Sequence, residues 1–118
     1  IKQQMSILKN VLALSEKNRI NNYELLISAY LSSSPKKILE ADLKVTKLLV
    51  PNELWGKFKT KFLINRNNFF VTKIIEYSKD NKLFIAVGAS HLGGKSGLLN
   101  QLKKNGFKVS PMNALIVD

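Results

Sequence analysis

An apolar run that ends in a glycine-rich turn, and is followed at once by an amphipathic stretch, constrains the fold of this chain most strongly. The run covers residues 83–88, the turn carries His91, and the amphipathic stretch covers residues 96–104. This order predicts a buried strand, a loop and a helix. Two more short strands are predicted at residues 107–110 and 114–117. The region is therefore expected to form a parallel strand–helix–strand unit with a right-handed crossover.

The residues before this unit are predicted to be helical, because apolar side chains recur every three or four positions. Ser34 followed by Pro35 marks one helix start, with serine as the N-cap and proline as the first helical residue. The chain is therefore predicted to have an α/β fold (α+β by content). A helical region at residues 1–82 is followed by the strand–helix–strand unit at residues 83–118, which closes an incomplete sheet.

The predicted sheet is too small to stand alone, since parallel sheets normally have both faces covered and protected edges. We expect the strand at residues 83–88 to pair with a strand from outside the chain. That strand would come from a missing amino-terminal part of the same protein or from a second copy. The chain begins at Ile1 and not with methionine, which also suggests a piece of a longer protein. The two regions would then be one part of a larger single domain.

The net charge of +11 raises the question of a polyanionic partner. Only Arg19 and Arg66 are arginines, and the lysines are scattered along the chain. Arginine is the residue that best makes bidentate contacts with phosphate or guanine, so this pattern argues against nucleic-acid binding. The chain has no cysteine, which excludes disulfides and thiolate metal ligands. No apolar run reaches the roughly 20 residues that span a bilayer, and no signal peptide is recognisable.

His91 is the only histidine, and histidine is the side chain that titrates near neutral pH. It can be a metal ligand, a general base or an ordinary loop residue. A catalytic zinc site needs about three protein ligands, and no HExxH or HxH pattern supplies them. The sequence Gly94-Lys95-Ser96 resembles the end of a P-loop, but Ala89 stands where that motif requires glycine. The amides of the following helix start leave a weaker anion site open.

Arg66 and Asn67 stand at the predicted start of a helix, which should begin between Asn65 and Asn68. They can be a solvated arginine and an asparagine cap. They can also be an arginine and an amide donor directed into a cleft, suited to an anion or a developing oxyanion. Strand ends and helix starts are natural neighbours around polar ligands, so we expect one cleft to contain this pair and His91.

The sequence resembles the carboxyl-terminal part of the TraB/PrgY/GumN family, which is related to the Tiki proteins. Near its end that family has an Arg-Asn pair at a helix start and an apolar strand leading into Gly-Ala-x-His-Leu-x-Gly. A Gly-Leu-Leu helix and a Gly-aromatic-x-Val strand follow. The matching segments here are Arg66-Asn67, residues 84–94, Gly97-Leu98-Leu99 and residues 106–109. The resemblance spans most of the chain and is sharpest over residues 66–109.

The resemblance implies part of a metal-dependent hydrolase of the peptidase type, because Tiki members are metal-dependent proteases with two Gly-x-x-His motifs and an acid. Gly88 and His91 match the second motif, whereas the first motif and a matching glutamate are absent here. The implied site residues are few. The catalytic candidates are Arg66, Asn67 and His91, the candidate ligand of a divalent metal ion is His91, and the candidate cofactor-binding positions are Gly88, Gly93 and Gly94.

The implied substrate is a peptide or a small molecule, and the resemblance points to the bacterial cell envelope, although the residues themselves identify no compartment. The alternative is a non-catalytic binding or regulatory module of the same fold, with a site for an anion or another polar ligand. A second Gly-x-x-His motif upstream would favour the enzyme.

Overall fold

The computed structural model describes residues 1–112, and the regular structure in this part of the chain is helical. The elements in chain order are α1 (Lys2–Leu12), α2 (Glu16–Leu31), α3 (Pro35–Leu49), α4 (Asn52–Lys59), a π-helical segment (Thr60–Ile64), α5 (Asn65–Ser78), a 3-10 turn (Ala89–His91) and α6 (Leu98–Lys104). Helix α4, the π-helical segment and α5 follow one another without a break, so one long helix occupies residues 52–78.

The predicted strand–helix–strand unit is wrong, and with it the α/β fold class. No strand occurs within residues 1–112, and residues 83–87 make no backbone hydrogen bond to another described residue. A strand exists only in a ladder with a neighbour, and this part of the chain offers none. Residues 107–110 form neither helix nor strand. The strand predicted at residues 114–117 lies outside the described residues.

Several helical predictions are confirmed. Helix α3 starts at Pro35, and the Ser34 hydroxyl accepts a hydrogen bond from the amide of Lys37 at 3.4 Å. Helix α6 lies within the predicted residues 96–104. Helix α2 begins at Glu16 after the cap Ser15 and runs through Asn21 and Asn22, although an asparagine pair predicts a break between helices. The propensity cost of two asparagines inside a long helix is only about 1 kcal/mol, and the packing of the helix outweighs it.

The best-packed part of the fold lies between α2 and α3. Ala29, Ile38 and Ala41 are buried against one another, and Ala89 of the 3-10 turn packs on the same cluster. The turn that carries His91 is therefore seated on α3. This contact fixes the position of the histidine relative to the helical layer.

Other apolar side chains remain uncovered. Tyr23 and Leu31 on α2 are 70% and 81% exposed, and Phe84 is 97% exposed. The Cα radius of gyration is 16.8 Å, whereas a compact domain of this length has about 13 Å. The described residues thus form an extended layer with an open apolar side. No helix among them combines the length and apolar character needed to cross a membrane.

Three glycines allow the loop after His91 to approach its neighbours closely. A Cβ on Gly93 would collide with the carbonyl oxygen of Pro35 at the start of α3, and one on Gly97 would collide with the carbonyl oxygen of Gly93. Gly94 has φ of +80°, and a Cβ there would lie 2.8 Å from a methyl group of Leu39. Only glycine fits this combination of left-handed backbone and close contact.

We expect Gly93→Ala to lower the free energy of unfolding by about 1–3 kcal/mol, because the added methyl group meets rigid backbone. The matched control is Gly56→Ala in the exposed part of α4, where nothing lies within 4 Å of the new Cβ. That variant should gain about 0.5–1 kcal/mol from helix propensity. Urea unfolding of both variants measures the difference, and equal stabilities would contradict the close packing of the loop.

Candidate functional site

The Gly-x-x-His sequence forms one tight turn. The amide of His91 donates a hydrogen bond to the carbonyl oxygen of Gly88 at 2.9 Å, and the amide of Leu92 donates to Ala89 at 3.0 Å. The spacing of three residues between glycine and histidine is the spacing of a 3-10 hydrogen bond. It places the imidazole at the point where the apolar segment 83–88 ends.

The buried side chain of Asn67 contacts the imidazole of His91. Its side chain is 1% exposed, and its Oδ1 lies 2.6 Å from Nδ1 of His91. Its Nδ2 donates a hydrogen bond to the carbonyl oxygen of Ser96 at 2.9 Å. Both polar ends of the asparagine are therefore used inside the protein. Asn67 makes no cap, and it supports the histidine instead of pointing into the cleft.

These contacts determine the tautomer of the histidine. Because the Ser96 carbonyl can only accept, the Asn67 NH2 group must face it, and Oδ1 must face the imidazole. A short contact to Oδ1 then requires the proton of neutral His91 to be on Nδ1. Nε2 keeps its lone pair, and this atom is available to take a proton or to bind a metal ion.

Arg66 reaches the same region from the first turn of α5. Its guanidinium lies 5.6 Å from the ring centre of Phe70, and that ring meets His91 edge-on, with centres 5.4 Å apart and planes at 82°. Phe70 therefore contacts both the cation and the imidazole. The aromatic ring helps to orient the guanidinium and the imidazole, and Arg66 remains exposed to solvent.

Arg66 and His91 line one pocket, whereas Asn67, the other member of the predicted pair, does not line it. Its volume is about 510 Å³, and its walls are α5 and the apolar segment 83–88. Lys73 also lines it, held by Glu76 through a 2.8 Å ion pair that raises the pKa of the lysine. None of the lining residues is acidic. The pocket thus combines apolar walls with two cations and one imidazole.

The electrostatic surroundings keep His91 neutral. Burial lowers its pKa below the usual 6.5, and the charge of Arg66 lowers it further. Asp42 on α3 acts in the opposite direction. At neutral pH the imidazole is therefore uncharged, which is the form needed by a base or a metal ligand.

Asp42 is a site residue that the sequence did not reveal. Pro35 and Leu39 on α3 contact the glycine loop, and Asp42 follows on the same helical face. It is half-buried, and no positively charged group pairs with it within residues 1–112. The spacing Pro35–Leu39–Asp42 is the only sequence signal, and it becomes informative once the loop is known to lie against α3.

The candidate glycines separate into two groups. Gly88 lines the pocket, but a Cβ there would make only an ordinary contact, 3.7 Å from the His91 ring, and nothing in the structure explains the glycine. Gly93 and Gly94 do not line the pocket and pack against α3. Gly97, which was not a candidate, is equally constrained by packing.

The residues described do not complete a metal site. Within residues 1–112 no three histidine, cysteine, aspartate or glutamate side chains come together, whereas zinc requires about three protein ligands. Nε2 of His91 could serve as one ligand only. The donor set of this part of the chain therefore does not fit a divalent ion by itself.

The site of this helical chain combines a Gly-x-x-His turn, a buried asparagine in contact with the imidazole, and an arginine that lines the same pocket as the histidine. The family model described as the TraB/PrgY/gumN family matches residues 1–111. The chain belongs to this family, which confirms the resemblance. No curated protein and no solved structure matches it.

Removing Arg66 should raise the pKa of His91, because its positive charge disfavours the imidazolium. We expect Arg66→Gln to raise this pKa and Asp42→Asn to lower it, both measured by NMR titration of the single histidine. Arg19→Gln, which removes the other arginine from α2, should leave the pKa unchanged. An effect of Arg19→Gln equal to that of Arg66→Gln would attribute the shift to net charge and not to proximity.

The same pKa makes stability depend on pH. The native pKa lies below the unfolded value of about 6.5, so the unfolded state binds more protons between the two values. The contribution of neutral His91 is complete above pH 6.5 and is lost as the pH falls through the native pKa. Unfolding curves of the wild type and His91→Gln should therefore converge as the pH falls through that window.

The ligand count predicts weak metal binding by residues 1–118 alone. One imidazole holds Zn²⁺ or Mn²⁺ poorly when no further ligands surround it. Calorimetric titration should show no saturable one-to-one binding. Tight binding that disappears in His91→Ala would show that the ligand set is complete in this chain.

Proposed function

We propose that this chain carries one part of a hydrolytic site of the peptidase type, in which His91 is a general base. The observation that supports this most directly is the Asn67–His91 contact, because it leaves Nε2 unprotonated and faces the other nitrogen inward. The lowered pKa keeps the base neutral at pH 7. His91 is assigned proton transfer because its Nε2 carries the free lone pair.

Nε2 would take a proton from a water molecule as its oxygen attacks a substrate carbonyl. The C–O bond forms, the carbonyl oxygen becomes negative, and the proton returns from Nε2 to the leaving nitrogen as the C–N bond breaks. Arg66 would donate to the negative oxygen. Removing one such donor typically costs about 10²–10³-fold in kcat.

The apolar segment 83–87 points to a covering partner. Its backbone is unpaired among the described residues, and Phe84 is 97% exposed. Its neighbours Leu83 and Ile85 are 39% and 45% exposed, and contiguous exposed apolar residues can mark an interaction site. We propose that polypeptide from outside the described residues covers this segment, either another part of the same protein or a second copy. That polypeptide would also be the source of any further site residues.

A binding module is the second candidate. The pocket holds Arg66 and no acidic lining residue, and Lys73 is already paired with Glu76, so Arg66 is the cation that suits an anionic ligand with an apolar body. Binding of a peptide with a free terminal carboxylate can be compared with binding of its amide-capped form. This comparison distinguishes a binding module from a hydrolytic site. Tighter binding of the carboxylate form with no cleavage would favour the module.

The test uses the longest natural protein that contains this chain, incubated with a peptide mixture and followed by mass spectrometry. We expect His91→Ala to lower kcat/KM by about 10²–10⁴-fold, because proton transfer is lost. Arg66→Gln should lower kcat by about 10²-fold through the lost charge stabilisation.

Arg19→Gln is the matched control for the arginine and should retain full activity. Its guanidinium donates hydrogen bonds to the carbonyl oxygen of Leu14 and does not line the pocket. Cleavage that survives His91→Ala would remove His91 from the reaction and refute the proposal.

A further inference from the structure

Gln101 on α6 connects the loop to α5. Its Nε2 donates to the carbonyl oxygen of Ser96 at 2.7 Å and to Oδ1 of Asn68 at 3.1 Å. An amide nitrogen has two hydrogens, so both are used. The side chain therefore has one preferred orientation, with its nitrogen toward the site.

The carbonyl oxygen of Ser96 accepts two amide donors. One is Nε2 of Gln101, and the other is Nδ2 of Asn67 at 2.9 Å. A carbonyl oxygen has two lone pairs, so this acceptor is saturated. The loop carbonyl is held between two helices, and its direction is set by both of them.

We propose that Gln101 is a positioning residue, which holds the Ser96 carbonyl against Asn67 and thereby decides which nitrogen of His91 is free. This inference rests on the proposed function in one respect only, namely that Nε2 of His91 is the general base. The orientation of the asparagine is the deciding step. If its amide were reversed, Oδ1 would face the Ser96 carbonyl and the NH2 group would face the imidazole.

A flip of the Asn67 side-chain amide would change the tautomer of His91. Nδ1 of His91 would then have to accept a hydrogen bond, which puts the proton on Nε2. That tautomer cannot take a proton at Nε2. The Ser96 carbonyl prevents the reversal because two acceptor oxygens would meet in a buried place. Gln101 acts through this carbonyl and touches neither substrate nor imidazole.

The experiment measures the tautomer of His91 directly by nitrogen NMR, at a pH above its pKa. The histidine is unique in the sequence, so its ring nitrogens give a single set of signals. In the wild type the proton should be on Nδ1. A wild type with the proton on Nε2 would overturn the proposal without any variant.

Two substitutions then remove the donor at position 101. Gln101→Met keeps the length of the side chain, and Gln101→Glu keeps its shape but replaces the donor with an acceptor. We expect the ratio of Nδ1–H to Nε2–H to fall by about tenfold in each, the change expected when one hydrogen bond is lost. An unchanged ratio in either folded variant would refute the role of Gln101.

The matched control is Asn100→Ala on the same helix. The Asn100 amide donates to the carbonyl oxygen of Lys95 at 2.8 Å, and it is not among the hydrogen-bond partners of Asn67 and His91 in the described residues. Its loss should leave the tautomer unchanged, and a change there equal to that of Gln101→Met would reduce the effect to general loosening of α6. A protein that keeps the Nδ1–H tautomer but cleaves no peptide would refute the proposed function and leave this inference intact.

Discussion

The contact between Asn67 and His91 joins parts of the chain that are 24 residues apart in sequence. It depends on an asparagine that is almost completely buried, and a buried amide must have partners at both ends. The Ser96 carbonyl satisfies one end and the imidazole satisfies the other. The positions of α5, the 3-10 turn and the following loop are therefore linked through one side chain. A displacement of any of them would leave a buried polar group unpaired.

The loop can serve this contact only because it lies very close to α3. Glycine at positions 93 and 94 lets its backbone meet the first turns of that helix, and Ala89 packs on the α2–α3 cluster. The same approach places Asp42 on the helical face next to the loop. Packing thus brings a negative charge near His91, and Arg66 supplies a positive charge that acts on the same imidazole. The neutral state of the imidazole results from burial together with the balance of these charges.

The sequence predicts those features that depend on local rules, such as helix starts, and on the spacing of motifs. Ser34 with Pro35 marked a helix start. Arg66 and His91 line one pocket, although the strand end on which that prediction relied is absent from residues 1–112. The strand predicted at residues 83–88 was wrong, because a continuous apolar run indicates a segment that is extended and buried but does not supply a neighbour for its backbone, and most of this segment is exposed. Gln101 could not be predicted, since an amide on a helix surface has no sequence signal for the carbonyl that it will meet.

The π-helical segment Thr60–Ile64 has a consequence for how this site can vary among related chains. An i→i+5 turn contains one residue more than an α-helical turn, and it sits directly before Asn65. One residue corresponds to a rotation of about 100° around the axis of an α-helix. The extra residue therefore sets the angular phase of everything downstream. In a relative whose segment is one residue shorter, the arginine and asparagine would face away from the histidine. Its sequence would still contain every motif.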